Sequence, residues 1–153
     1  MPPWVLFLDF DGVLNGEAFL RHQRNHLPPG AHPRLFDPDN LHALDQLCLR
    51  LGIERIVVTS TWRLGRSLDQ LRTMLAREGF PRADRLIAAT PDFGGGLHAR
   101  PAEIASWAAL HAPLRALVLD DAALALRRDF VRVDASCGLT LALVDAIVAS
   151  RAG

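Results

Sequence analysis

The fold is decided near the start of the chain, by the stretch Trp4-Val5-Leu6-Phe7-Leu8-Asp9-Phe10-Asp11-Gly12. Its first five residues are all apolar, a pattern typical of a strand that is buried on both faces of a parallel sheet. We therefore predict a strand over Trp4–Asp9, from which Gly12 allows a sharp exit. Because parallel sheets bind ligands beyond the carboxyl ends of their strands, Asp9 and Asp11 mark a candidate site.

The rest of the chain alternates short apolar runs with longer segments of helical periodicity. Further strands are predicted at Glu54–Thr59, Arg85–Thr90, Leu114–Asp120 and Phe130–Asp134. Helices are predicted at Pro38–Leu51, Ser67–Glu78, Pro101–His111 and Thr140–Ser150. Strands that alternate with helices indicate an α/β fold, here a three-layer, doubly wound sheet of five parallel strands of the Rossmann type.

Length and composition set the broad class of the protein. With 153 residues, 50% of them hydrophobic, the chain fits a single domain that spans residues 1–153. No apolar run approaches the roughly 20 residues of a membrane helix, so we expect a cytoplasmic protein without a membrane partner. The formal net charge of +0 gives no general attraction to nucleic acid, and the sequence leaves the oligomeric state open. The chain has arginines and no lysine, so any cationic side chain that the site needs must be an arginine.

Polar residues also follow two other predicted strands. Thr59-Ser60-Thr61 come at the end of the second strand, and Asp120-Asp121 end the fourth. Together with Asp9 and Asp11 they would bring four carboxylates to one edge of the sheet, where a hard cation must offset their repulsion. Oxygen ligands of this kind suit Mg2+. One carboxylate can attack phosphorus, the other can protonate the leaving oxygen, and the Gly12 turn lets backbone N–H groups reach a phosphate.

These motifs resemble those of the haloacid dehalogenase (HAD) superfamily of phosphatases. Residues 7–15 resemble its first motif, Val57-Val58-Thr59-Ser60 its second, and Leu117-Val118-Leu119-Asp120-Asp121 its fourth, acidic motif. Within the superfamily, the chain is most similar to the small phosphatase-like domain of bacterial RNA-repair proteins. That similarity rests on Ser60-Thr61-Trp62-Arg63, on Glu103-Ile104 with Trp107, and on Gly138-Leu139-Thr140.

The resemblance implies a role for each motif residue. Asp9 is the expected nucleophile and a metal ligand, and Asp11 is the expected acid and base that also binds the metal through its backbone carbonyl. Thr59 is expected to hold the phosphoryl oxygens, with Ser60 as the alternative. Asp120 is expected to bind Mg2+, and Asp121 to support it directly or through water. The implied activity is Mg2+-dependent hydrolysis of phosphomonoesters through an aspartyl-phosphate.

Two arginines complete the candidate site. The third motif of the superfamily is usually a lysine ahead of a helix, and this chain has none. Arg100, just before Pro101, is the expected substitute, because a planar guanidinium can bind a phosphate with two hydrogen bonds. Arg63 is either a surface charge or a substrate contact, and Trp62 beside it is either a packing residue or part of the site.

Residues 16–37 form the only segment long enough to cover the site, and they resemble the short flap of superfamily members that lack a full cap domain. We expect an open, polar loop here, which places His22, His26 and His32 in a poor setting for zinc. An open site admits large substrates, such as a nucleic-acid end or a phosphoprotein. The resemblance to RNA-repair domains and the missing cap suggest the hypothesis of a nucleic-acid phosphate end. Arg21, Arg24 and Arg34 of the flap are candidates to contact neighbouring phosphates.

A second class of function remains open at this stage: a phosphate-binding or signalling domain that is phosphorylated on aspartate without turnover. Receiver domains of that class place the acceptor aspartate on the third strand and carry a lysine late in the chain. Here the third predicted strand ends at Ala89-Thr90 and there is no lysine. The hydrolase is therefore the favoured interpretation.

Overall fold

A parallel five-stranded sheet forms the centre of the protein. The computed structural model describes residues 2–151. The strands are β1 (Trp4–Leu8), β2 (Ile53–Val58), β3 (Leu86–Ala89), β4 (Ala116–Asp120) and β5 (Asp129–Arg132). Their order across the sheet is β3-β2-β1-β4-β5, and every neighbouring pair is parallel. The predicted α/β fold with a doubly wound sheet is confirmed, and each predicted strand is found within a few residues of its expected bounds.

Helices cover both faces of this sheet, as all-parallel sheets require. The helices are α1 (Glu17–His26), α2 (Pro38–Leu51), α3 (Leu68–Arg77), α4 (Arg100–His111) and α5 (Leu141–Arg151). Alternate side chains of β1 define two cores: Leu6 and Leu8 pack with α2, α3 and α5, whereas Val5 and Phe7 pack with α4. Both faces of the sheet are filled by these apolar cores. A ligand site must therefore lie beyond the carboxyl ends of the strands.

The helix ends follow local sequence signals. Asp37 caps α2 by accepting a hydrogen bond from the Asp39 N–H at 2.9 Å, and Pro38 occupies the first turn. Gly52 ends the helix in the left-handed conformation at φ 70°. Ser67 and Gln70 form a reciprocal capping box at the start of α3. These signals explain why the predicted bounds of α2 and α3 lie so close to the observed ones.

The flap differs from its prediction in one respect. His22 and His26 lie in helix α1 and not in a polar loop, and α1 has no buried residue. The flap is held at its base by Asn40 of α2, whose side chain accepts from Gly16 N–H at 3.4 Å and donates to the carbonyl of Leu139 at 2.9 Å. One helix and its flanking loops make up the segment, so the expected absence of a full cap is confirmed. Along residues 2–151, none of the helices has the length and apolar character needed to cross a membrane.

Candidate active site

Three site residues stand side by side because their strands are in register. Leu8 pairs with Val58 on one side and with Leu119 on the other, which aligns Asp9 with Thr59 and with Asp120. The ladder continues through hydrogen bonds from Thr59 N–H to Leu8 at 3.0 Å and from Asp9 N–H to Leu119 at 3.1 Å. Each of the three comes two residues after a residue of the core that packs on α4. Since side chains alternate along a strand, all three side chains lie on the α4 side of the sheet.

The N-terminus of α4 brings a cation to this group. The guanidinium of Arg100 lies 2.8 Å from Asp120 Oδ2 and 3.5 Å from Asp9 Oδ1. Asp9, Asp120 and Arg100 are all buried, so these charges interact with little screening by solvent. Arg100 lies where a helix begins, as expected, and its predicted role as the substitute for the usual lysine stays a prediction.

One arginine does not balance the carboxylates around it. Atoms of Asp9, Asp120 and Asp121 approach within 4.8 Å of one another. Burial, followed by the charge of Asp120, raises the pKa of Asp9 to about 8 despite the opposing effect of Arg100. Burial also raises the pKa of Asp120, although the Ala122 N–H and Arg100 favour its charged form. The cluster therefore has more negative charge than the protein alone can stabilise.

A hard divalent cation fits this donor set. Carboxylate oxygens held within a few ångströms are the ligands that such ions prefer. A cation would favour the charged form of Asp9 against both its burial and the charge of Asp120, which raise its pKa. Asp121 is pressed against Gly12, where an added Cβ would lie 2.4 Å from Asp121 Oδ2. Gly12 also has φ +77°, so the turn after β1 depends on glycine both for its backbone conformation and for the space that Asp121 occupies.

Asp11 occupies a different position from these three carboxylates. It is exposed, and its Oδ1 accepts hydrogen bonds from Asn15 Nδ2 and from Trp62 Nε1, each at 3.0 Å. Asn15 also accepts from the Gly12 N–H at 2.9 Å, which closes the turn. The structure thus places Asp11 at the rim beside the buried cluster. Its predicted metal contact through the backbone carbonyl stays a prediction.

The two candidate hydroxyls differ in how they are used. Thr59 Oγ1 is buried and has no hydrogen-bond partner within residues 2–151. Ser60 Oγ accepts from the Trp62 N–H at 3.2 Å and caps a short 3-10 turn over Thr61–Arg63. A buried hydroxyl without a partner is costly, which makes Thr59 the hydroxyl better suited to receive a ligand oxygen.

Arg63 is engaged with the protein itself. Its side chain is 6% exposed, and it lies 3.1 Å from Glu103 Oε1. It also donates to the carbonyls that end two strands and begin the next loop, those of Thr59, Ser60, Thr90 and Pro91. Four of the five N–H groups of the guanidinium thus donate to backbone carbonyls, and Nη2 also forms the ion pair with Glu103. A substrate contact by Arg63, which the sequence left open, would require one of these bonds to break.

A comparison with known families agrees with this geometry. The family described as the HAD domain in Swiss Army Knife RNA repair proteins matches residues 5–144, which is most of the chain. The chain belongs to this family. Searches of curated proteins and of solved structures find no match. The predicted resemblance is thereby confirmed, and this HAD domain is related to a superfamily of phosphatases and other hydrolases.

Sequence reasoning gave no role to two residues of this HAD domain that contact its site. Asn15 lies four residues after Asp11, and that spacing within a turn was the available signal. Glu103 pairs with Arg63 and accepts from the Phe93 N–H at 2.8 Å. Its signal was a glutamate within an otherwise apolar helical face, next to Ile104 and Trp107.

The raised pKa of Asp9 predicts how the stabilisation of the HAD domain by a divalent cation would depend on pH. The folded protein keeps a proton on Asp9 up to about pH 8, whereas the unfolded chain loses it near 3.8, so the metal-free protein loses stability as pH rises between these values. A bound cation needs the ionised carboxylate. The rise in unfolding temperature caused by Mg2+, relative to chelator, should therefore increase as pH rises towards 8.

Two variants make this measurement specific. Asp120→Asn removes one carboxylate of the cluster and should lose most of the Mg2+ effect. Asp84→Asn changes an exposed aspartate outside the cluster and should keep it. A cation effect that is independent of pH and equal in both variants would contradict the assignment.

Proposed function

We propose that this HAD domain is a Mg2+-dependent phosphomonoester hydrolase that works through an aspartyl-phosphate on Asp9. The observation that carries the proposal is the cluster of Asp9, Asp120 and the half-buried Asp121, with Arg100 bound to it. The Thr59 hydroxyl alongside has no hydrogen-bond partner within residues 2–151. The carboxylates of this cluster carry more negative charge than Arg100 balances, so they suit a metal ion. The Thr59 hydroxyl can donate a hydrogen bond to a phosphoryl group that binds with the metal.

Phosphoryl transfer to Asp9 needs positioning and charge stabilisation more than further chemistry. A carboxylate oxygen of Asp9 attacks phosphorus and forms the acyl-phosphate bond. Arg100 lies within 3.5 Å of Asp9, so its guanidinium can neutralise phosphoryl oxygens as the bond forms. Thr59 donates to another of these oxygens. Mg2+, bound by Asp9, Asp120 and Asp121, would supply the remaining positive charge.

Asp11 carries the proton in both halves of the reaction. It first protonates the oxygen of the leaving group as the P–O bond breaks. The resulting carboxylate then takes a proton from the water that hydrolyses the aspartyl-phosphate. Its exposed position beside the buried cluster, and its hydrogen bonds to Asn15 and Trp62, support this role.

For the substrate, we propose a phosphorylated nucleic-acid end. The family description and the absence of a full cap support a large substrate. Arg66 offers a further phosphate contact near the site: it is exposed, and its guanidinium carbon lies 5.5 Å from the ring centroid of Trp62, which binds Asp11. By contrast, Arg34 of the flap is tied to Glu78, with its guanidinium donating to the Glu78 carbonyl.

The first test is phosphate release from a generic aryl phosphate with Mg2+ and with chelator. We expect turnover that requires the metal and falls by about a thousandfold or more in Asp9→Asn, because that change removes the nucleophile while nearly keeping its shape. Asp84→Asn is the matched control and should retain full activity.

Turnover that survives Asp9→Asn would exclude the aspartyl-phosphate route. If the wild-type protein is folded but inactive on every ester, beryllium fluoride binding to Asp9 separates the two classes of function. Trapping without turnover would favour the signalling domain, and failure to trap would exclude both.

A second test concerns Arg100, which we propose replaces the usual lysine of the superfamily. Arg100→Lys should stay within about tenfold of the wild-type rate, because an ammonium still supplies the charge. Arg100→Met should lose about a hundredfold to a thousandfold in kcat, since no charge remains to stabilise the transition state. Equal rates for both variants would mean that the cation at this position has no part in the reaction.

The substrate proposal is tested by comparing kcat/KM for 3′- and 5′-phosphorylated oligonucleotides with that for a small phosphate ester. We expect at least about a tenfold preference for an oligonucleotide, which decreases with added salt as phosphate contacts are screened. Arg66→Gln should reduce only that preference, whereas Arg77→Gln, an exposed arginine on α3, should not. No preference in the wild type would refute the proposal.

A further inference from the structure

The carboxylate of Asp11 is oriented by two neutral donors that bind the same oxygen. Asn15 Nδ2 and Trp62 Nε1 each lie 3.0 Å from Oδ1. Neither hydrogen bond uses Oδ2. An oxygen that already accepts two N–H groups is poorly placed to exchange a proton with a substrate, so Oδ2 is the oxygen left for that exchange.

Trp62 is itself fixed by contacts on several sides. Its ring packs against Phe36, with centroids 5.1 Å apart, and edge-on against Phe10 at 5.8 Å. Its peptide N–H donates to Ser60 Oγ at 3.2 Å. The indole N–H therefore reaches Asp11 from a ring that has little freedom to turn away. A donor on a side chain without these packing contacts would be replaced more easily by water.

The position of Trp62 in the chain links the Thr59 hydroxyl to the Asp11 carboxylate. Trp62 lies three residues after Thr59, in the short turn that Ser60 caps. The loop that carries the Thr59 hydroxyl thus also carries the indole N–H that binds Asp11. A shift of this loop would move the hydroxyl and the orientation of Asp11 together.

We propose that Trp62 is a positioning residue that aims Asp11 Oδ2 at the leaving oxygen. This inference rests on the proposed hydrolase function. As Asp9 forms its bond to phosphorus, the P–O bond to the leaving group breaks and its electron pair moves to the leaving oxygen. That oxygen takes the proton from Asp11, and the carboxylate later recovers a proton from the attacking water. Trp62 touches neither phosphorus nor the leaving group and acts only through Asp11.

The test uses the fact that proton donation matters only when the leaving group is poor. Trp62→Phe keeps a ring against Phe10 and Phe36 but removes the N–H. We compare kcat/KM for an alkyl phosphate, whose leaving oxygen needs a proton, with that for a nitrophenyl phosphate, whose leaving group does not. We expect a loss of about tenfold on the alkyl ester and less than about twofold on the nitrophenyl ester.

Two further variants test whether the effect of Trp62 arises through Asp11. Asp11→Asn should show the same pattern more strongly, and the double variant should be no slower than Asp11→Asn, because Trp62 acts through Asp11. Trp107→Phe removes an indole from the other core, where Trp107 of α4 packs on Phe7, and should affect both esters equally. If Trp62→Phe does not fold, a benzothiophene analogue of tryptophan at position 62 keeps the shape without the N–H.

The comparison of the two esters distinguishes a positioning role of Trp62 from a packing role. Selective loss on the alkyl ester supports the positioning role. Equal losses on both esters, or no loss on either, would overturn it and leave Trp62 a packing residue while the hydrolase function stands. A wild-type protein that turns over neither ester would refute the hydrolase function first, and the role of Trp62 with it.

Discussion

The site depends on the ion pairs that Arg100 makes with two buried carboxylates at the edge of a parallel sheet. Strand register forces Asp9 and Asp120 together, and burial makes their charges costly. Arg100 reduces that cost without removing it, as the raised pKa of Asp9 indicates. The residual negative charge makes the carboxylate cluster a candidate metal site. In the proposed function, the same arginine gives an incoming phosphoryl group a cationic contact.

Helix α4 organises more of the site than its first residue suggests. Arg100 and Glu103 lie on adjacent turns of its N-terminus, and both are buried. Arg100 contacts the carboxylates directly, whereas Glu103 binds Arg63, which in turn holds the carbonyls of Thr59 and Ser60. The helix therefore fixes Asp9, the proposed nucleophile, on one strand and the loop after Thr59, the proposed phosphate-binding loop, on the next. Rigid support of this kind keeps catalytic groups in a reactive geometry.

The sequence was sufficient for the fold because its signals are local. Apolar runs indicated β1 and β2, and the caps of α2 indicated that helix closely. The strand ends then indicated Asp9, Thr59 and Asp120, because parallel strands align their carboxyl ends. Helix α1 escaped prediction because it buries no residue and so carries no apolar stripe. The bonds of Arg63 and Trp62 escaped it because they join segments that only the folded chain brings together.

In the proposed mechanism, Asp9 becomes phosphorylated during turnover. The most direct measurement is acid quenching of the working enzyme in the first turnover, followed by mass spectrometry of the peptide that contains Asp9. The proposed mechanism requires a phosphoryl group on Asp9 that appears before free phosphate and is absent from Asp9→Asn. A protein that releases phosphate while this peptide stays unmodified, or that carries the phosphoryl group on another residue, would contradict it.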